Sequence, residues 1–206
     1  MPITIDLTTQ NIPEQFKQVF YMDLDAWDGF RDKRSELFEK LSAVPNVVAI
    51  TGDIHAFYAA TPWVNDSPDK KIVEFVGGAV TSGTYRTLLK SQVDADPVLK
   101  SIPGAGALAG AIDTLLNGGP NPHLGFADSG SNGFVTVEAS STEFVATYYR
   151  IPETEVTNDL SALTEDKLAA KFKVCTFKTV AGEHELYMLQ DDGKYMKWNP
   201  TTQAYE

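Results

Sequence analysis

A single cysteine, Cys175, stands among 206 residues. It excludes an intramolecular disulfide and any zinc site built from several thiolates. Its setting in the strand-like run KFKVCTF suits a small buried apolar side chain. Basic residues are scarce as well: 17 Lys and Arg against 28 Asp and Glu leave a net charge of −11. The chain has no Lys/Arg-rich stripe of the kind that neutralises phosphates, which argues against DNA or RNA as the main partner. No apolar run approaches the ~20 residues that span a bilayer. No basic-then-apolar leader opens the chain, so no export signal is expected within it. Two catalytic signatures are also missing. The glycines at 104–110 lack the GxxxxGK[ST] or strand–GxGxxG setting that cradles phosphates, and no GxSxG elbow presents a serine nucleophile.

What is present suits one globular domain with room for a small addition: hydrophobic residues make up 43% and charged residues 22%. In RDKRSELFEKLSAV, Phe30, Leu37, Phe38 and Leu41 fall at roughly helical spacing, with Asp28 placed to cap the helix and Pro45 to end it. NVVAI (46–50) is a short β-branched run with the pattern of a strand buried on both faces. KKIVEFVGGAV (70–80) is a second strand candidate, 84–93 a short helix, and AIDTLLN a helix stopped by Gly118. NPHLGFADSGSNG is rich in turn residues and reads as loop. GFVTVEAS and STEFVATYYRI alternate apolar and polar residues and are expected to pair antiparallel. Residues 153–165 read as a linker. The tail, 166–206, holds a short helical DKLAAKF and then KVCTFKTV, HELYMLQ and KYMKWN, joined by AGE and DDG turns. This order implies a mixed α/β sheet with helices packed on it, in residues 1–152, followed by a small β-rich appendage.

TGDIH (51–55) directly follows NVVAI, and in such sheets sites gather beyond the carboxyl ends of buried strands. Gly52 allows a sharp exit. Asp53 offers a hard oxygen and His55 an imidazole nitrogen, and a loop can splay two such donors toward two ions ~3.5–4 Å apart, as in metal phosphatases. Taken alone, Gly-Asp-x-His is weak: a turn with one hydrogen-bonded histidine is the better explanation of it, and two donors do not complete a site.

Flanking segments add to it. Trp27, Asp28, Gly29, Phe30 and Arg34, then Gly52, Asp53 and His55, then Glu74, Phe75 and Ser82 stand in the order found in the alkaline phosphatase D (PhoD-like phosphatase) family, and NPHLGFAD…NGFVTVE resembles a later family segment. The resemblance covers about residues 20–150. It implies part of a calcineurin-like metallophosphatase β-sandwich with flanking helices, and hydrolysis of phosphate mono- and diesters at alkaline pH by metal-activated water. It also implies a dinuclear centre of iron and calcium, with Asp53 on one ion and His55 on the other, in a family whose members are exported. The family's other ligand motifs, including an Asn in a GNQ-type motif, do not occur in these 206 residues. The chain therefore resembles the C-terminal half of the family. The expectation is a phosphatase component lacking the N-terminal half that supplies its other ligands, either a fragmentary gene product or one subunit of a split enzyme with that half as a separate chain, and inactive by itself; the alternative is a catalytically incompetent remnant or interaction subunit.

Other residues have two readings each. Trp27 could shape a substrate mouth or anchor the core. Arg34 could hold a phosphate or form a structural ion pair. His123 could line a pocket or bond to backbone. Asp23, Asp25 and Asp28 could bind Ca²⁺ or serve as cap and solvated turn. His184, in the AGEHEL turn, is expected to face solvent.

Overall fold

A computed structural model describes residues 3–21, 27–64, 67–117 and 119–206. Asp23, Asp25 and Gly118, named above, lie outside the described residues. The chain opens with an antiparallel pair, β1 (Thr4–Asp6) and β2 (Val19–Tyr21), separated by a 3-10 turn at Glu14–Phe16. Helix α1 (Arg31–Ser42) buries Phe38 against Ile72. Asp28 does not cap it. Its carboxylate is buried, accepts from the Ile3 amide (3.1 Å) and pairs with Arg34 (2.7 Å). These two partners, far apart in the chain, outcompete the helix end.

Next come β3 (Val48–Thr51), β4 (Phe57–Ala60), the small hairpin of β5 (Trp63–Val64) and β6 (Ser67–Lys71), and β7 (Val73–Val76). Four short helices follow: α2 (Tyr85–Ala95), α3 (Pro97–Ser101), α4 (Ala105–Gly110) and α5 (Ile112–Leu116). Strand β8 (Leu124–Asp128) then completes a sheet of order β3-β7-β4-β8, with β3 and β7 parallel and the other pairs antiparallel. LGFAD is thus a strand and not loop, because pairing with β4 overrides its glycine. NVVAI does not form a strand buried on both faces. Among the described residues β3 has β7 as its one neighbour, and Ile50 is 60% exposed.

The second large sheet runs β14-β13-β12-β11-β10-β9. Strands β9 (Ser131–Ala139) and β10 (Glu143–Pro152) pair antiparallel as the alternation implies. Short helices α6 (Glu153–Val156) and α7 (Glu165–Ala169) lead into β11 (Lys173–Val180), β12 (Tyr187–Leu189), β13 (Tyr195–Asn199) and β14 (Ala204–Tyr205). Strand β11 pairs with β10 over eight residues, so the tail continues this sheet and does not stand apart as an appendage.

Side chains alternate across β4, and the alternation builds the interior. Phe57 and Ala59 join Val73, Phe75, Ala146, Tyr148, Cys175, Phe177, Leu186 and Trp198 in one core between the two sheets. Tyr58 and Ala60 face the other way and pack with Val76, Leu124, Ile112 and Leu116 under the helices. Rings from both sheets meet in the first core: Phe75 stacks on Phe144 at 5.8 Å and Phe126 meets Phe177 at 5.3 Å. Cys175 is buried there, as its sequence setting implies, and burial raises its thiol pKa.

Gly133 adopts φ 142°, and a Cβ there would lie 1.9 Å from the Tyr149 carbonyl oxygen. Gly133→Ala should therefore destabilise by about 1–3 kcal/mol, read as a lower urea midpoint. Phe177→Ala should cost about 3–5 kcal/mol. Because Phe177 shares its core with β4 and β7, the loss should lower one cooperative transition; a separate early transition of the tail would contradict the shared core.

Candidate functional site

Strands β3 and β7 are parallel, so the chain leaves both at the same end of the sheet. Thr51 sits opposite Val76, and the Gly77 amide donates to the Thr51 carbonyl (3.0 Å). Two loops emerge here side by side, 52–56 and 77–84. The first residue of β4, Phe57, pairs with Asp128, which brings the β8–β9 turn to this end too.

The first loop carries Asp53 and His55. Both adopt left-handed backbone, φ 72° and φ 57°, a conformation costing non-glycine residues about 1–3 kcal/mol each where the surroundings enforce it. Between them Ile54 packs against the core beneath the helices. Asp53 is left exposed and His55 half-buried.

His55 is fastened at two points, to the second loop and to the first residue of the helix that loop enters. Its Nδ1 lies 2.7 Å from the Gly83 carbonyl oxygen. Since a carbonyl only accepts, Nδ1 carries the proton, and in the neutral imidazole Nε2 presents a lone pair. The His55 carbonyl in turn accepts from the Tyr85 amide (2.9 Å), the first residue of α2. Thr84, fully buried, caps that helix by accepting from the Thr87 amide (3.3 Å). The Arg86 amide is bound by the Ser129 carbonyl (2.9 Å). With these partners the helix start is saturated and holds no phosphate cradle.

The second loop is itself held from below. Asn132 donates to the carbonyls of Ala79 (3.2 Å) and Ser82 (2.7 Å). Glu153, expected in a linker, accepts from the Thr84 amide (3.3 Å), the Thr84 hydroxyl (2.8 Å) and the Thr87 hydroxyl. Burial raises the Glu153 pKa, but the hydrogen bonds from Thr87 and Thr84 together outweigh it and the carboxyl sits below its ordinary value. Two ion pairs border the same end, Arg86 with Asp113 and Arg150 with Asp128. Neither Glu153 nor Asn132 carries a local sequence signal of this role, since their partners lie 50 or more positions away.

An exposed carboxylate oxygen and an imidazole nitrogen held by a hydrogen bond at its other nitrogen are chemically suited to a cation. Among the described residues no group of three or more His, Cys, Asp or Glu is clustered as a metal cage, so the pair is at most part of a site. The other candidates are not brought to it. His123 is 7% exposed, meets the Trp63 ring edge-on at 5.5 Å and stands beside Thr61, whose amide its carbonyl accepts. That is the far end of β4 from His55, a strand length of roughly 13 Å away. Arg34 is held by Asp28 and by the Trp27 carbonyl (3.3 Å), which is the structural ion pair of its two readings. Trp27 is 43% exposed and so is no core anchor. His184 is half-buried, where a solvent-facing turn residue was expected.

Comparison with known proteins places this geometry in context. The chain is 36% identical over 85 residues to alkaline phosphatase D of Bacillus subtilis (strain 168), covering 39% of this chain and 14% of that protein. Its fold is similar to the solved structure of PhoD, with TM-score 0.50 and 22% identity, over 84% of this chain and 27% of that one. The chain thus spans about a quarter or less of the length of these relatives. The model of the PhoD-like phosphatase family matches residues 3–148, and the chain belongs to that family.

Proposed function

We propose that this chain is the part of a metal-dependent PhoD-like phosphatase that carries the last metal motif, acting on phosphate mono- and diesters within a calcineurin-like sandwich. The observation that carries the reading is the clamped His55: Nδ1 is spent on the Gly83 carbonyl, so Nε2 is left for a cation. Asp53 contributes a hard oxygen suited to calcium, and His55 a nitrogen suited to iron. When bound, the ion pair supplies charge stabilisation of the phosphoryl group and an activated water. The His55 ring is held by its hydrogen bond to the Gly83 carbonyl and its backbone by the Tyr85 amide, and in this reading Asp53 and His55 would each hold one of the two ions.

Two donors need partners. In this reading they come from polypeptide beyond the described residues, as a neighbouring segment or a separate chain. The edge of β3, which has one neighbouring strand among the described residues and leaves Ile50 exposed, supports such a contact beside TGDIH.

Joined to the N-terminal portion of an alkaline phosphatase D, in one polypeptide or by co-expression, the chain should hydrolyse p-nitrophenyl phosphate when iron and calcium are supplied. Asp53→Ala should then lower kcat by at least about 100-fold, the upper range for disturbing even an outer ligand partner. Retained metal and full activity in Asp53→Ala would sink the assignment. No metal uptake by the joined protein would instead favour a catalytically incompetent subunit. His123→Ala should leave kcat within about twofold and lower stability by about 1–3 kcal/mol, because its ring is buried at the opposite end of β4.

A further inference from the structure

The Glu153 carboxylate makes three hydrogen bonds, all to one short segment. Oε1 accepts from the Thr84 amide (3.3 Å), and Oε2 accepts from the hydroxyls of Thr84 (2.8 Å) and Thr87. Thr84 is fully buried, so its hydroxyl has no water to fall back on, and it depends on Glu153 as acceptor. The residue before Thr84 supplies the carbonyl that receives the His55 imidazole, and the residue after it supplies the amide that holds the His55 carbonyl. Glu153 thus grips the middle of a three-residue segment whose two ends grip His55. It follows directly on β10, whose last residue Pro152 pairs with Ser131, so the carboxylate is anchored to the large sheet.

We propose that Glu153 is a positioning residue for His55, fastening the Gly83–Thr84 segment so that the imidazole is held with Nδ1 protonated and Nε2 free for a cation. The proposal rests on the reading of His55 as a metal donor, and extends it to a residue beyond the segment matched by the family model. Glu153 does not touch His55, so its effect passes through the backbone of Gly83 and Thr84. Nothing is transferred through the chain of bonds; it selects a tautomer and a ring orientation, and free imidazole has no such selection.

Imidazole nitrogen NMR tests this without any turnover. In the whole chain, ¹⁵N shifts should show His55 as the Nδ1–H tautomer, and Mn²⁺ should broaden its signals before those of His123 and His184. In Glu153→Ala the shifts should move toward a mixture of tautomers, and about tenfold more Mn²⁺ should be needed for the same broadening, at the low end of outer-partner effects. Glu153→Gln keeps an acceptor oxygen for Thr84 and should return His55 toward the wild-type pattern. An unchanged tautomer and Mn²⁺ dependence in folded Glu153→Ala would overturn the proposal, as would a wild-type His55 without the Nδ1 proton. Should Glu153→Ala fail to fold, Thr87→Val removes one exposed donor from the same carboxylate. It should shift His55 in the same direction by a smaller amount, and no shift would overturn the proposal. A tautomer that follows Glu153 in a protein whose His55 ignores Mn²⁺ would leave the positioning role standing and remove the metal reading.

Discussion

The phenol of Tyr148 crosses from β10 to β4 and donates to the Tyr58 carbonyl at 2.7 Å, inside a core where both residues are fully buried. Burial pushes the Tyr148 pKa well above its ordinary value, which favours the protonated phenol that donates this bond. This bond ties the two sheets at the strand that everything else uses. Phe57, Tyr58, Ala59 and Ala60 have no exposed surface, and each face of that four-residue strand closes a different core. The strand begins two residues after His55. Fixing its position therefore fixes the takeoff of the loop that carries Asp53 and His55, and the Tyr58 hydroxyl, 2.9 Å from Ser129, fixes the neighbouring β8–β9 turn against it.

Locally coded parts of this arrangement were readable in the chain. The alternation in GFVTVEAS and EFVATYYRI produces a long antiparallel pair, and the KFKVCTF strand buries its cysteine. The exit of TGDIH from a strand end is likewise where the pattern puts it, because a β-branched run followed by glycine has few other ways to fold. Parts decided by distant partners were not readable. NVVAI looks like an interior strand from composition alone, yet position in a sheet depends on what lies beside it, and β3 has a neighbour on one edge among the described residues. Asp28 has the chemistry of a cap and is drawn instead to Arg34 and the Ile3 amide. The tail matches no separable unit because its apolar positions, Cys175, Phe177, Leu186 and Trp198, share one core with residues of β4, β7 and β10.

The same distinction governs the site. The identities of Asp53 and His55 are visible at a spacing of two, but their geometry is set by residues 28 to 98 positions on. His55 leans on Gly83; Gly83 is followed by Thr84, and Thr84 is held by Glu153. The links meet at Thr84, which has no exposed surface, so breaking its bond to Glu153 would leave a buried hydroxyl without its acceptor. Left-handed backbone at Asp53 and at His55 would relax toward ordinary conformations in a free loop. Here the Tyr85 amide and the Gly83 carbonyl hold one of these residues directly, and Ile54, packed beneath the helices, holds the peptide between them. Strain concentrated in a segment so tightly supported is the usual mark of preorganisation: the conformational cost is met on folding, and on the proposed metal reading Nε2 is a donor already aimed. Asp53 lacks comparable support. It is exposed, and it shares the strained turn without a hydrogen bond of its own among the described residues. The difference follows if the imidazole is fixed by this chain while the carboxylate takes its final place only when the ion and its remaining donors arrive.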